Sequence, residues 1–297
     1  MHQTKNDAFS NCHPLVNFLF FVGAIGFSVV IQHPAYLAAG ALCALLYYLL
    51  LSGIRGMKIL WGLVPIFLLF ALVNPLFNTY GETVLFYLFG KPYTLEALYY
   101  GMAVGGTFCV MMLWFGCYNK VLTSDKFTSL FGNLIPAISL LLVMVLRMIP
   151  NFILKASQIL GARTAIGKGP GGNPKEKLAS GTTVLSTLTD WALEGSILTG
   201  DSMRARGYGT GKRTSFRLYT MKLRDWLLLA ALLILAAGVI ALCVLGGVNA
   251  QYTPALVLAP VSGNYWLGFA AYSVFLLIPS VLHIKESVQW YISRSRI

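Results

Sequence analysis

The sequence predicts an all-α, polytopic membrane protein with about six transmembrane helices and three further helices on the cytosolic side. Of its 297 residues, 57% are hydrophobic and only 11% are charged, against roughly a quarter charged in soluble domains. The mean hydropathy is +0.71. Apolar runs of about the length that crosses a bilayer recur along the chain. The basic residues, 22 against 10 acidic ones for a net charge of +12, collect between particular runs, as they do in cytoplasmic loops. That distribution places the charge at a membrane surface, and nucleic acid is not an expected partner.

The first expected span covers Leu15 to Ile31, and the second covers Ala35 to Leu51 after the break Gln32-His33-Pro34. The third runs from Ile59 to Leu76. The fourth, Leu95 to Tyr118, carries Gly101, Ala103, Gly105 and Gly106, small residues that let helices approach closely in lipid. The last two run from Trp226 to Val248 and from Tyr265 to Ile284. The polar N-terminus shows no cleavable signal, and the first run is expected to remain as an anchor.

One apolar run, Leu134 to Ile149, breaks the series. It is short and contains Pro136 and Arg147. Lys120 and Lys126 precede it; Lys155, Arg163, Lys168, Lys175, Lys177, Arg204, Arg206, Lys212, Arg213, Arg217, Lys222 and Arg224 follow. A single crossing would place one basic flank outside, against the positive-inside rule. The segment is therefore expected to lie at the interface or against protein. Six spans with both termini inside then satisfy every loop. The chain divides into residues 1–118 with four spans, a cytosolic region 119–221, and residues 222–297 with two spans.

Three helices are expected in the cytosolic region. Ser124 to Phe131 is the first, with Ser124 as N-cap. The second starts at Pro136 and continues to Ala165, with a bend at Pro150. The breaker cluster Gly167 to Pro174 ends it. The third runs from Lys175 to Arg206. Its residues Val184, Leu188, Trp191 and Leu198 share one stripe. Gly181, Ala192, Gly195 and Gly200 suggest a close crossing with another helix, since glycine otherwise costs about 1 kcal/mol in a helix.

Little in the chain points to catalysis. His2, His13, His33 and His283 are far apart and lack ligand-spaced carboxylates. Cys12, Cys43, Cys109, Cys117 and Cys243 show neither metal-ligand spacing nor a paired framework, so no metal, cofactor or disulfide is expected. The stretch Gly207 to Thr214 fails the phosphate-loop pattern. Arg206 stands at its first glycine position, and Arg213 stands where Ser or Thr would bind magnesium. Ionisable residues are nearly absent from the spans, which argues against self-contained ion pumping. What remains is a pair of helix ends bearing arginine: Arg163 on the second cytosolic helix, and Arg204 and Arg206 before Gly207 on the third. Each suits dipole compensation and the positive-inside rule, but the favoured reading is a tip for bidentate docking to a carboxylate on a soluble partner.

Several fragments, in order, carry a resemblance. They are His13-Pro14-Leu15-Val16, Val73-Asn74-Pro75, Thr94-Leu95-Glu96-Ala97-Leu98 with Gly101, Leu146-Arg147-Met148-Ile149-Pro150, and Ser202-Met203-Arg204-Ala205-Arg206-Gly207-Tyr208. Together the chain resembles the transmembrane T component of energy-coupling factor transporters, prokaryotic ABC-type importers of vitamins or transition metals. The resemblance spans nearly the whole chain and implies a prokaryotic plasma-membrane location. It implies a non-catalytic subunit whose coupling helices join two ABC ATPase subunits to a substrate-binding membrane S component. It assigns ATPase docking to Ala205, Arg206 and Gly207 and, at a first tip, to Ala162 and Arg163, where Thr164 replaces the family's glycine. Leu140, Val143, Leu188 and Trp191 are expected to face the S component. The second C-terminal span is additional to many family members.

Two other function classes compete. A membrane enzyme could act on anionic lipids through the basic region, but Asp190, Glu194 and Asp201 lie on one helix with no second acidic cluster. A simple membrane anchor or scaffold is the third. Co-purifying nucleotide-binding proteins would favour the transporter; lipid turnover by the chain alone would favour the enzyme.

Overall fold

A computed structural model describes residues 8–78, 81, 83–88, 91–131, 136–169, 173–211, 219–245, 250–251, 257–258 and 263–294. Leu134, the Gly171-Gly172 centre of the breaker cluster, Lys212, Arg213, Arg217, Val248, His2 and Arg296 lie outside the described residues. The chain forms two compact units: Met1–Phe127 with Tyr219–Ile297, and Thr128–Leu218.

The first unit holds α1 (Pro14–Val30), α2 (Pro34–Ser52), a short 3-10 turn (Ile54–Met57), α3 (Lys58–Phe77) and α4 (Leu95–Val121). After the second unit it resumes with α8 (Leu223–Val244) and α9 (Gly263–Arg294). These helices begin and end within a few residues of the expected spans, except that α9 continues about ten residues further. The molecule is mostly helical, but not wholly so. An antiparallel hairpin pairs β1 (Val84–Leu88) with β2 (Lys91–Thr94), and a second pairs β3 (Ala250–Gln251) with β4 (Val257–Leu258). The Val-Leu-Phe-Tyr-Leu run of β1 is made of strand-favouring residues. Tyr93 on β2 donates its hydroxyl to the Leu72 carbonyl of α3 at 3.3 Å. Glu96, in the first turn of α4, accepts from the Thr83 hydroxyl at 2.7 Å and favours the positive helix end.

Among the described residues, five helices are long and apolar enough to cross a membrane: Pro34–Ser52, Leu95–Val121, Leu140–Ala165, Leu223–Val244 and Gly263–Ser293. The chain is thus a multi-pass membrane protein by length and composition. The set differs from the six spans read from the sequence. α1 and Trp61–Phe77 of α3 are apolar but shorter, whereas Leu140–Ala165 joins the set. The 30-residue helix is itself expected, and the six-span reading sets it aside on flanking charge; by length and composition alone Leu140–Ala165 qualifies.

Aromatic rings at the inner helix faces build the core. Phe20, Phe21, Tyr47, Trp114 and Phe275 are all fully buried or nearly so. Phe20 stacks on Phe275 at 5.3 Å and meets Trp114 edge-on at 5.5 Å. The small residues of α4 bring α3 close, as expected. A Cβ on Gly101 would lie 2.9 Å from the Ala71 carbonyl oxygen, and one on Gly105 would lie 3.0 Å from that of Phe67. Neither backbone atom can yield as a side-chain tip could, so glycine is required for this approach.

The first two helices share one start. His13 and His33 each precede a proline at the first helical position. Nδ1 of His13 accepts from the Leu15 N–H at 3.2 Å, and Nδ1 of His33 accepts from the Ala35 N–H at 3.3 Å. An acceptor Nδ1 requires a neutral ring with its proton on Nε2. Burial pushes both pKa values down, with Asp225 opposing the shift at His13. The unfolded chain therefore binds these protons more readily than the fold does. Their contribution is complete above the ordinary histidine value of ~6.5 and is lost as pH falls through the depressed folded values. Thermal melts of the detergent-purified protein are expected to show lower stability at pH 5 than at pH 7.5. His13→Asn with His33→Asn, which keeps a side-chain cap acceptor without this titration, should flatten that dependence. Each lost cap is expected to cost about 0.5–2 kcal/mol.

Candidate functional site

The second unit is built from α6 (Pro136–Ala165) and α7 (Pro174–Ala205), entered through α5 (Ser124–Phe131). All three match the expected helices to within a residue or two. The expected N-cap moves by one position, because α5 already includes Ser124 and the Thr123 carbonyl accepts from the Phe127 N–H at 3.0 Å.

α6 and α7 pack through an aromatic contact. Phe152 meets Trp191 edge-on, 5.6 Å between ring centroids. The Lys155 ammonium stands 5.8 Å from the centre of the same indole, within cation–π range. The expected stripe on α7 is real over part of its length. Val184 is buried and Leu188 and Trp191 are half-buried, but Leu198 is 60% exposed. Among the described residues the expected close crossing at glycines is not formed. A Cβ at Gly181, Gly195 or Gly200 would have no atom within 4 Å. Large rings set the spacing of this pair instead. Phe152 and Lys155 are the partners that sequence reading missed; their aromatic and cationic character next to Trp191 was the available signal.

Both helices end in the same motif. In α7 the Gly207 N–H donates to the Arg204 carbonyl at 2.9 Å and the Tyr208 N–H to the Met203 carbonyl at 3.0 Å. Gly207 has φ 77°. In α6 the Gly167 N–H donates to the Thr164 carbonyl at 3.1 Å and the Lys168 N–H to the Arg163 carbonyl at 2.9 Å, with Gly167 at φ 76°. These paired bonds around a left-handed glycine define the Schellman ending. They also fix a register between the two ends. Ala205-Arg206-Gly207 corresponds to Ala165-Ile166-Gly167, so Ile166, 70% exposed, takes the place of Arg206.

The expected first tip therefore sits one turn before the end. Ala162 is exposed, whereas Arg163 is partly covered, and its Nε is buried without a hydrogen-bond partner. Arg204, Ala205, Arg206 and Gly207 are all exposed. Thirteen residues separate Phe152 from Ala165, and fourteen separate Trp191 from Ala205, which is about 20 Å of helix in each arm. Of the other expected contact residues, Val143 is exposed and Leu140, Leu188 and Trp191 are half-buried. Trp191 thus spends part of its surface on Phe152 and Lys155.

Among the described residues, no group of three or more His, Cys, Asp or Glu is placed to hold a metal ion. The comparisons with known proteins found no family model matching the chain and no matching curated protein.

Proposed function

We propose that this chain is the transmembrane coupling subunit of an energy-coupling factor importer, passing ATPase motion to a membrane S component that binds a vitamin or transition metal. The observation that carries the reading is the pair of helices with matching backbone endings. α6 and α7 touch at Phe152 and Trp191, extend similar lengths beyond that contact, and finish in matching Schellman motifs. A pair joined near one point with equal arms is suited to relay a displacement of its tips. Arg206 offers a guanidinium fork at one such tip. The ordered sequence motifs supply the partner class: two ABC ATPases at the tips, the S component along the apolar faces. ATP hydrolysis belongs to those partners on this reading.

The topology proposed with it has six spans in the plasma membrane, α1 to α4 with α8 and α9, and both termini inside. α6 stays on the cytoplasmic side despite its apolar length, because Lys126 precedes it and Lys168, Lys175 and Lys177 follow it. α1 rises only about 26 Å, a shortfall against a ~30 Å core that local thinning accommodates. The test is capture of the tagged full-length chain from its native membrane. Two nucleotide-binding proteins and a small membrane protein are expected in stoichiometric amounts. Their absence, with lipid turnover by the purified chain, would replace this reading with the lipid-enzyme alternative.

A further inference from the structure

The second unit is joined to the first at two places in the chain, after Phe127 and before Tyr219. A buried cation stands next to one junction and a second cation lies just beyond the other. Lys126, 7% exposed, donates from Nζ to the Ser10 carbonyl at 2.5 Å, the Ser10 hydroxyl at 2.7 Å and the Val121 carbonyl at 2.9 Å. Val121 ends α4, so this last bond satisfies a carbonyl the helix itself leaves unpaired. Arg224 donates from Nη2 to the Ala8 carbonyl at 3.2 Å and to Cys12 Sγ at 3.3 Å. Both cations thus hold one short N-terminal turn, residues 8–12.

That turn is itself fixed. Phe9 is fully buried and meets Phe20 at 5.2 Å, Phe21 at 6.2 Å and Tyr47 at 6.4 Å. The Cys12 N–H donates to the Phe9 carbonyl at 3.1 Å, and Asn17 Nδ2 donates to the Ser10 carbonyl at 3.5 Å. The turn therefore connects α1, α2 and the end of α4 to the residues flanking the second unit. A positive-inside charge needs only to face the cytoplasm. A lysine almost wholly buried with three oxygen acceptors is held for its position.

We propose that Lys126 and Arg224 are positioning residues that tie the chain on either side of the coupling unit to the turn Ala8–Cys12, and that the chain so anchored delivers motion of α6 and α7 to the membrane helices. The proposal rests on the coupling function given above, and its test separates the two. Hydrogen exchange on the purified full-length chain reads the tie without any partner. Lys126→Met is expected to speed exchange at least tenfold in residues 8–12 and 124–131, leaving α2 and α4 unchanged. In the assembled complex the same variant should keep ATPase binding and turnover within twofold while uptake falls at least tenfold. Arg224→Met should repeat this split, and Lys126→Arg should restore most of the uptake. Unchanged exchange in Lys126→Met overturns the tie. Faster exchange with full uptake overturns its role in coupling, and so does a parallel fall of ATPase binding and uptake that Lys126→Arg leaves unrescued. A wild-type chain that captures no nucleotide-binding protein overturns the coupling reading and this delivery role with it, while the exchange result still decides the tie.

Discussion

On the proposed function, Arg206→Glu is expected to abolish uptake and release the ATPases from the complex, while the chain still folds and inserts. The substitution reverses the charge at an exposed helix cap whose side chain is not needed to end the helix. The ending is made by backbone bonds from Gly207 and Tyr208 to Arg204 and Met203, and these survive a change at position 206. On that reading Arg206 pairs with a partner carboxylate that a glutamate would repel, and removing one partner of a buried, hydrogen-bonded charge pair costs about 2–5 kcal/mol. That corresponds to a loss of binding of roughly thirtyfold or more. Size-exclusion co-elution and transport in proteoliposomes measure it. Full co-elution with normal uptake would remove Arg206 from the docking role. Arg163→Glu is expected to act more weakly on docking, because its guanidinium lies one turn short of the end and is partly covered.

Trp114→Ala should be the most destabilising single change in the first unit, by about 3–5 kcal/mol. Trp114 is fully buried where rings from three other helices converge: Phe20 and Phe21 of α1, Tyr47 of α2 and, through Phe20, Phe275 of α9. A close-packed interior cannot collapse around a lost indole without moving several helices. The effect is large against a total stability of about 5–15 kcal/mol, so the variant should melt early in detergent and accumulate poorly in membranes. Trp114→Phe should be far milder. It keeps a ring in place and removes an indole N–H that is buried without a partner.

The helices were legible from apolar length, sharpened by proline starts at Pro14, Pro34, Pro136 and Pro174 and glycine stops at Gly53, Gly167 and Gly207. Ser124–Phe131 and Pro136–Ala165 emerge with the same limits from pattern and from structure. Other features depend on three-dimensional placement. The hairpin of Val84–Leu88 with Lys91–Thr94 hides in a loop whose strand-forming residues are too few to stand out among apolar runs. Helix through Pro150 is expected from the pattern, but only Leu134 to Ile149 counts there as its apolar run, whereas apolar length sufficient to cross a membrane extends over Leu140–Ala165. The glycines of α7 suggested a close crossing, but spacing there is set by Phe152 against Trp191. The first tip shows why letters mislead. Ala162-Arg163 resembles Ala205-Arg206 as text, but the left-handed residue is Gly167, and backbone geometry aligns Ile166 with Arg206. Lys126 counted only as a loop charge until its three acceptors were in view.

The mismatch between Ile166 and Arg206 has a consequence for assembly. On the proposed function, two helix ends with the same backbone motif but different chemistry would act as a keyed plug. One end offers a branched apolar side chain, the other a cation. A symmetric pair of sockets would accept this plug equally in two orientations that differ by a half-turn. Sockets that differ, one greasy and one acidic, would accept it in a single orientation. On the proposed function the two ATPase subunits are then expected to be unlike each other at these sockets, and the orientation of the whole importer would be settled by a single aliphatic side chain facing a single guanidinium.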